Sequence, residues 1–160
     1  MGRKSVKENK NIYQQCREDL ELTRESAAEL LGYISADRIE KIESEKSLAR
    51  PEEVLTMAAC YNHPELCNYY CSHECPIGIK TVPEIKPKEL SQITLEMLAT
   101  LNALNKEKDR LIEITVDGVI SDSETEDFNA IRQKLNEMAI SIETLRLWVE
   151  KAAGAAEAKD

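Results

Sequence analysis

Between Thr23 and Glu43 two short apolar-periodic segments meet at a glycine, and no other feature constrains this chain as strongly. Ala27, Ala28 and Leu31 recur at helical spacing behind Thr23, a residue type that caps helix N-termini. Gly32 then supplies the permissive backbone at which a helix stops. After a turn through Tyr33 and Ile34, Ser35 is placed to cap a second helix with Ile39 and Ile42 on its inner face and Asp37, Arg38 and Lys41 pointing away. Alanines at 27 and 28 suit two helices crossing steeply, because bulkier side chains would hold the backbones apart.

The flanks extend the pattern. An amphipathic helix precedes it near residues 12–20, Leu22-Thr23 opens the pair, Ile42-Glu43 closes it, and Pro51 starts a further helix with Val54, Leu55 and Ala58 inward. Together these features resemble the Cro/repressor-type helix-turn-helix domain, the XRE family of bacterial regulators, over about the first half of the chain. The family places its second-helix isoleucine one residue nearer the glycine than Ile39 stands from Gly32, so the turn Tyr33-Ile34-Ser35 is one residue longer here.

The resemblance implies a cytoplasmic, sequence-specific transcriptional regulator that inserts the helix starting near Ser35 into the major groove of double-stranded DNA. On that docking Ser35, Ala36, Asp37, Arg38 and Lys41 approach bases or phosphates, Arg24 contacts the backbone, and Lys46 or Arg50 adds positive charge. Arg38 is the expected guanine reader, since its fork bonds two acceptors at once. Asp37 either accepts from cytosine or caps the helix start.

Charge both tempers and locates this reading. The 160-residue chain carries a net charge of −9, which opposes phosphate binding, but the excess of acid lies beyond residue 50 and the segment before it is neutral. Arg3, Lys4, Lys7 and Lys10 form a short basic arm that either tracks phosphates or frays as a solvated terminus. The acidic remainder is expected to face solvent or a protein partner. With 42% apolar and 4% aromatic residues, five Gly and five Pro, the composition favours an all-α fold. No run is long and apolar enough to span a bilayer, and the N-terminus lacks the hydrophobic stretch of a signal peptide, whence the expected cytoplasmic location.

Helices are expected near 11–20, 23–31, 35–44, 51–61 and 64–73, giving a five-helix repressor-type domain over 1–75. Three prolines and a glycine between Pro76 and Pro87 read as an extended linker over 76–88. Beyond it, Ile93, Met97, Leu101, Leu104, Leu111 and Thr115 follow three-four spacing with Lys108 as the polar member, as do Phe128, Ile131, Leu135, Met138, Ile142, Leu145 and Trp148. They predict an antiparallel hairpin over 89–152, followed by a frayed tail over 153–160. A lone hairpin buries one narrow stripe per helix, so this one is expected to pack on a second copy or on the N-terminal domain, and a homodimer held chiefly by the hairpin is expected.

Cys60, Cys67, Cys71 and Cys75 gather with His63 and His73 in one segment, and a four-residue repeat aligns three of the thiols on a helical stripe. Zinc or an iron–sulfur cluster is one reading. Small buried side chains in a packed helix are the other, because the spacing matches neither zinc ribbons nor ferredoxin runs. Cys16 stands alone and reads as core. The run Glu113–Glu124 partly matches a calcium loop, but Glu113 and Thr115 replace its first acidic ligands, and a plain interhelical turn with a capping box explains it equally. No phosphate-cradling loop, nucleophile elbow or His-Glu-x-x-His occurs, so an enzyme is not expected. The alternative to a DNA-binding regulator is a protein-interaction adaptor that kept the fold and uses its acidic hairpin on a partner, with a thiol or metal switch at the cysteines.

Overall fold

The computed structural model describes residues 10–157, and every regular element in that range is helical. The outer part of the basic arm (Arg3, Lys4 and Lys7) and residues 158–160 lie outside the described residues. The chain divides into two compact units, one of residues 1–84 with 150–160 and one of residues 85–149.

The first unit begins with α1 (Ile12–Asp19), α2 (Arg24–Leu31), α3 (Ala36–Glu43) and α4 (Pro51–Tyr61). Asn11, Thr23 and Ser35 cap α1, α2 and α3, each side-chain oxygen accepting from the backbone N–H three residues on. Pro51 sits at the first position of α4, where its missing N–H costs no helical bond. Tyr13, Cys16, Ala27, Leu31, Ile39, Ile42, Val54, Met57 and Tyr61 make one core, with Ile34 from the turn and Leu66 from α5 (Glu65–Tyr69). Cys16 is core, as read from the sequence. Leu55, expected to face inward, is exposed, because the buried side of α4 runs through Val54, Met57, Ala58 and Tyr61.

The cysteine segment departs from a regular helix. After α5 the backbone widens into a π-helical stretch, Tyr70–Glu74, in which the N–H of Cys75 reaches five residues back to the carbonyl of Tyr70 at 2.9 Å. The extra residue in that turn takes Cys75 out of the four-residue alignment with Cys67 and Cys71. An edge-on contact of Tyr69, at the end of α5, with Tyr13, ring centres 6.0 Å apart, ties the start of this stretch to α1.

The segment expected to be an extended linker begins packed. Gly78 opens one helical turn, α6 (Gly78–Thr81), and is buried so closely on the preceding stretch that a Cβ there would lie 2.1 Å from the carbonyl oxygen of Cys71. The side-chain amide of Asn68 donates to the carbonyl of Pro83 at 3.0 Å. The boundary between the units therefore falls between residues 84 and 85, later than the break expected after residue 75.

The second unit contains α7 (Leu90–Thr115) and most of α8 (Thr125–Glu157). Gly118, at φ +73°, turns the chain between them, and the Asp117 carboxylate accepts from the N–H of Val119 at 3.0 Å. Glu124 accepts from the backbone N–H of Ser121 at 2.9 Å, one arm of the capping box, so the acids of this run serve the turn itself. Arg110 bonds Asp127 across the turn at 2.7 Å.

Ile93 of α7 and Ile131 of α8 are buried as expected, but on α7 Ile114 is buried where the spacing pointed to Thr115, which is exposed, and the buried face of α8 then runs through Ser141, Thr144 and Leu147. Leu135 and Ile142, assigned to that face from the sequence, are exposed, as is Leu101 on α7. The two buried hydroxyls are satisfied by carbonyls one turn back, Ser141 by Glu137 at 3.0 Å and Thr144 by Ile140 at 2.7 Å.

Helix α8 continues through the segment expected to fray, to Glu157. Its last part, from Glu150, belongs to the first unit, where Lys151 bonds Glu65 at 2.9 Å and Gly154 leaves room for the side chain of Asn62.

Candidate nucleic-acid interface

The pair α2–α3 is built by its local sequence. Thr23 Oγ1 accepts from the N–H of Ser26 at 3.1 Å, Gly32 ends α2 at φ +76° with its N–H on the carbonyl of Ala28, and Ser35 Oγ accepts from the N–H of Arg38 at 3.2 Å. A side chain other than glycine at residue 32 would be strained by that dihedral, although the space around it is open. Ile34 is buried within the turn, so the longer connection is pinned rather than loose.

Helix α3 is anchored by charge as well as by apolar packing. Glu43, its side chain 1% exposed, accepts from Arg17 of α1 through both carboxylate oxygens, at 2.6 and 2.9 Å, and from Arg24 of α2 at 2.8 Å. Arg17 also donates to the carbonyl of Leu22 at 2.5 Å. Burial works against the Arg17 cation, yet its hydrogen bonds to Glu43 hold the guanidinium above its usual range. One carboxylate thus fixes α3 to both preceding helices.

Arg38, read from the sequence as the guanine reader, is occupied inside the chain. Its Nε and Nη2 bond the two oxygens of Glu53 on α4 at 2.7 and 2.6 Å, Nη1 donates to Ser47 Oγ at 2.7 Å, and Nη2 also reaches the carbonyl of Leu48 at 2.8 Å. The bidentate fork suited to guanine is here filled by a carboxylate. Glu53 also accepts from the backbone N–H of Arg50 at 2.7 Å, and the Arg38 hydrogen bonds hold its carboxyl below the usual range. Arg38 is therefore a positioning residue for the α3–α4 connection.

The other expected contacts divide in two. Arg24 is drawn to Glu43, and Lys46 bonds Glu40 at 2.8 Å. Ser35 is exposed but used as a cap. Asp37, Lys41 and Arg50 are exposed, Ala36 is half-exposed, and among the described residues neither the Lys41 nor the Arg50 side chain has an acidic partner. Lys10 of the arm bonds Glu18 at 2.5 Å. The ion pairs to Glu43 and Glu53 escaped the sequence reading. Their signal was the presence of Glu residues on otherwise apolar helix faces, at the buried positions of α3 and α4.

Among the described residues no three His, Cys, Asp or Glu side chains are grouped to hold a metal ion. Burial raises the Cys67 thiol, and the nearby Glu150 adds to the shift. His63 and Glu65 bond each other at 2.8 Å, and Glu65 also accepts from Lys151 at 2.9 Å.

No family model matches this chain, and neither does any curated protein or solved structure.

Proposed function

We propose that the chain is a DNA-binding transcriptional regulator of the XRE type that reads the major groove with the outer face of α3. The observation that carries this reading is how α3 is held. Its inner side is locked by Ile39, Ile42 and the Arg17–Glu43–Arg24 network, while Ala36, Asp37 and Lys41 remain outward on one exposed face. A rigid helix with a short polar outer face is what base readout requires, because disorder there would cost affinity at each contact. Lys41 and Arg50 act as the phosphate contacts, Asp37 accepts from cytosine N4, and Arg38 sets the angle of α3 against α4 rather than touching bases.

A second reading is the protein-interaction adaptor, and one observation favours it. Of the basic side chains between residues 10 and 50, all but Lys41 and Arg50 are spent on internal acids, which leaves little free charge for phosphates. Selection of random duplex DNA on the purified full chain separates the two. Enrichment of one sequence motif is expected, and its absence from repeated rounds at low salt would leave the adaptor as the function.

A further inference from the structure

We propose that the exposed apolar face of the α7–α8 hairpin is the contact surface for a second copy of this chain, with α8 crossing its partner's α8 at Ile142. This inference is independent of the DNA reading.

On α8, Leu135, Ile142 and Val149 are 46%, 42% and 53% exposed, and they stand seven residues apart. That interval returns to nearly the same side of a helix, so the three form a straight stripe. On α7, Leu98, Leu101 and Ile112 are also exposed. Leu101 and Ile112 on α7 and the three residues on α8 lie about a third of a turn beyond their own helix's buried face in the same angular sense, and antiparallel helices displaced in that way carry their stripes toward the same side of the pair. Two apolar stripes therefore border one open face.

Three properties select a second copy as the occupant. The first is size. A helix of 26 residues is about 39 Å long, and two helices side by side are about 20 Å across, giving a footprint of about 800 Å². That is the area each partner contributes to a stable standard interface. The second is charge. Residues 97–105 of α7 and 138–142 of α8 contain no charged side chain, while residues 85–149 as a whole hold eight Lys/Arg against twelve Asp/Glu. An acidic unit repels anionic lipid and nucleic acid; a second copy shares that net charge, but its uncharged central band meets an uncharged band, so the contact itself brings no like charges together. The third is symmetry. Equal spacing about Ile142 lets two antiparallel α8 helices meet around a two-fold axis, with Ile142 opposite its own copy and Leu135 opposite the partner's Val149.

The test is sedimentation velocity on the full chain at micromolar concentration, wild type against Ile142→Glu and Leu48→Glu. Ile142 and Leu48 are both exposed in the single chain, so neither substitution removes core packing, and helical circular dichroism should be unchanged. A wild-type dimer, at least tenfold weakened self-association in Ile142→Glu and an unaffected Leu48→Glu dimer are expected. A monomeric wild type, a dimer that survives Ile142→Glu, or one lost equally in Leu48→Glu would overturn the assignment.

Discussion

Replacing Arg38 by alanine separates a positioning role from a base-reading one. The substitution removes the hydrogen bonds from Arg38 to both Glu53 oxygens, to Ser47 and to the Leu48 carbonyl, and leaves the nearly buried Glu53 carboxylate with only the Arg50 N–H. Stranding one partner of a well-buried ion pair costs about 3–5 kcal/mol, and the Arg38 side chain is 22% exposed, so the expected loss lies near the lower end, about 3 kcal/mol. A base reader lying free on the surface would change stability by about 0.5 kcal/mol or less while weakening specific DNA binding by about 1–3 kcal/mol. Urea unfolding followed by helical circular dichroism measures the first quantity. The pH dependence gives an independent check. Glu53 is depressed in the folded state, so the unfolded chain binds the extra proton over the acid interval between the two values; the stabilisation is full above the ordinary carboxylate range and fades as pH falls through the lowered folded value. Arg38→Ala should therefore flatten that acid limb. Unchanged stability with an unchanged acid limb would refute the positioning role.

Glu65, buried, is held down to about 2 because its bonds to His63 and Lys151 outweigh the burial that opposes them, so its contribution persists above about 4.5 and is lost only as pH approaches 2. Lys151→Ala should raise that carboxyl in an NMR titration and move acid unfolding to higher pH; an unmoved Glu65 would show that the end of α8 does not hold it. Gly78→Ala should destabilise the first unit by about 1–3 kcal/mol, since the added methyl meets backbone at Cys71 rather than a movable side chain, and thermal unfolding would register it. Glu43→Ala should cost about 3–5 kcal/mol by removing both hydrogen-bonded carboxylate oxygens from the buried Arg17, which keeps only the more distant Glu18 at 3.9 Å, and a smaller loss than that of Arg38→Ala would reverse the order of the two networks.

What the sequence disclosed was local. The caps at Thr23 and Ser35, the stop at Gly32 and the proline start of α4 depend on residues within one turn of each other, and all four occur where their chemistry put them. The candidate site was less legible because its decisive contacts span the chain. Arg38 meets Glu53 fifteen residues away and Arg17 meets Glu43 twenty-six away. Helical periodicity assigns such charges to solvent and has no means of pairing them. The hairpin failed for another reason. α8 carries two apolar stripes, one through Ile131, Met138 and Leu145 and one through Leu135, Ile142 and Val149, and a three-four count merges them into a single wide face. The buried side instead passes through Ser141 and Thr144, which look polar in a sequence but satisfy their own hydroxyls on the helix. The cysteine stripe was drawn on a regular helix, and the π-helical turn at Tyr70–Glu74 broke its register.

The central claim, that the outer face of α3 meets DNA, is tested most directly by the salt dependence of binding to a selected duplex, wild type against Lys41→Ala. Lys41 is exposed and without an acidic partner among the described residues, so its removal should leave the fold untouched. The logarithm of the binding constant should fall steeply with the logarithm of salt concentration for the wild type, and Lys41→Ala should reduce that slope by about one. Binding that ignores salt, or a slope identical in the two proteins, would contradict the account.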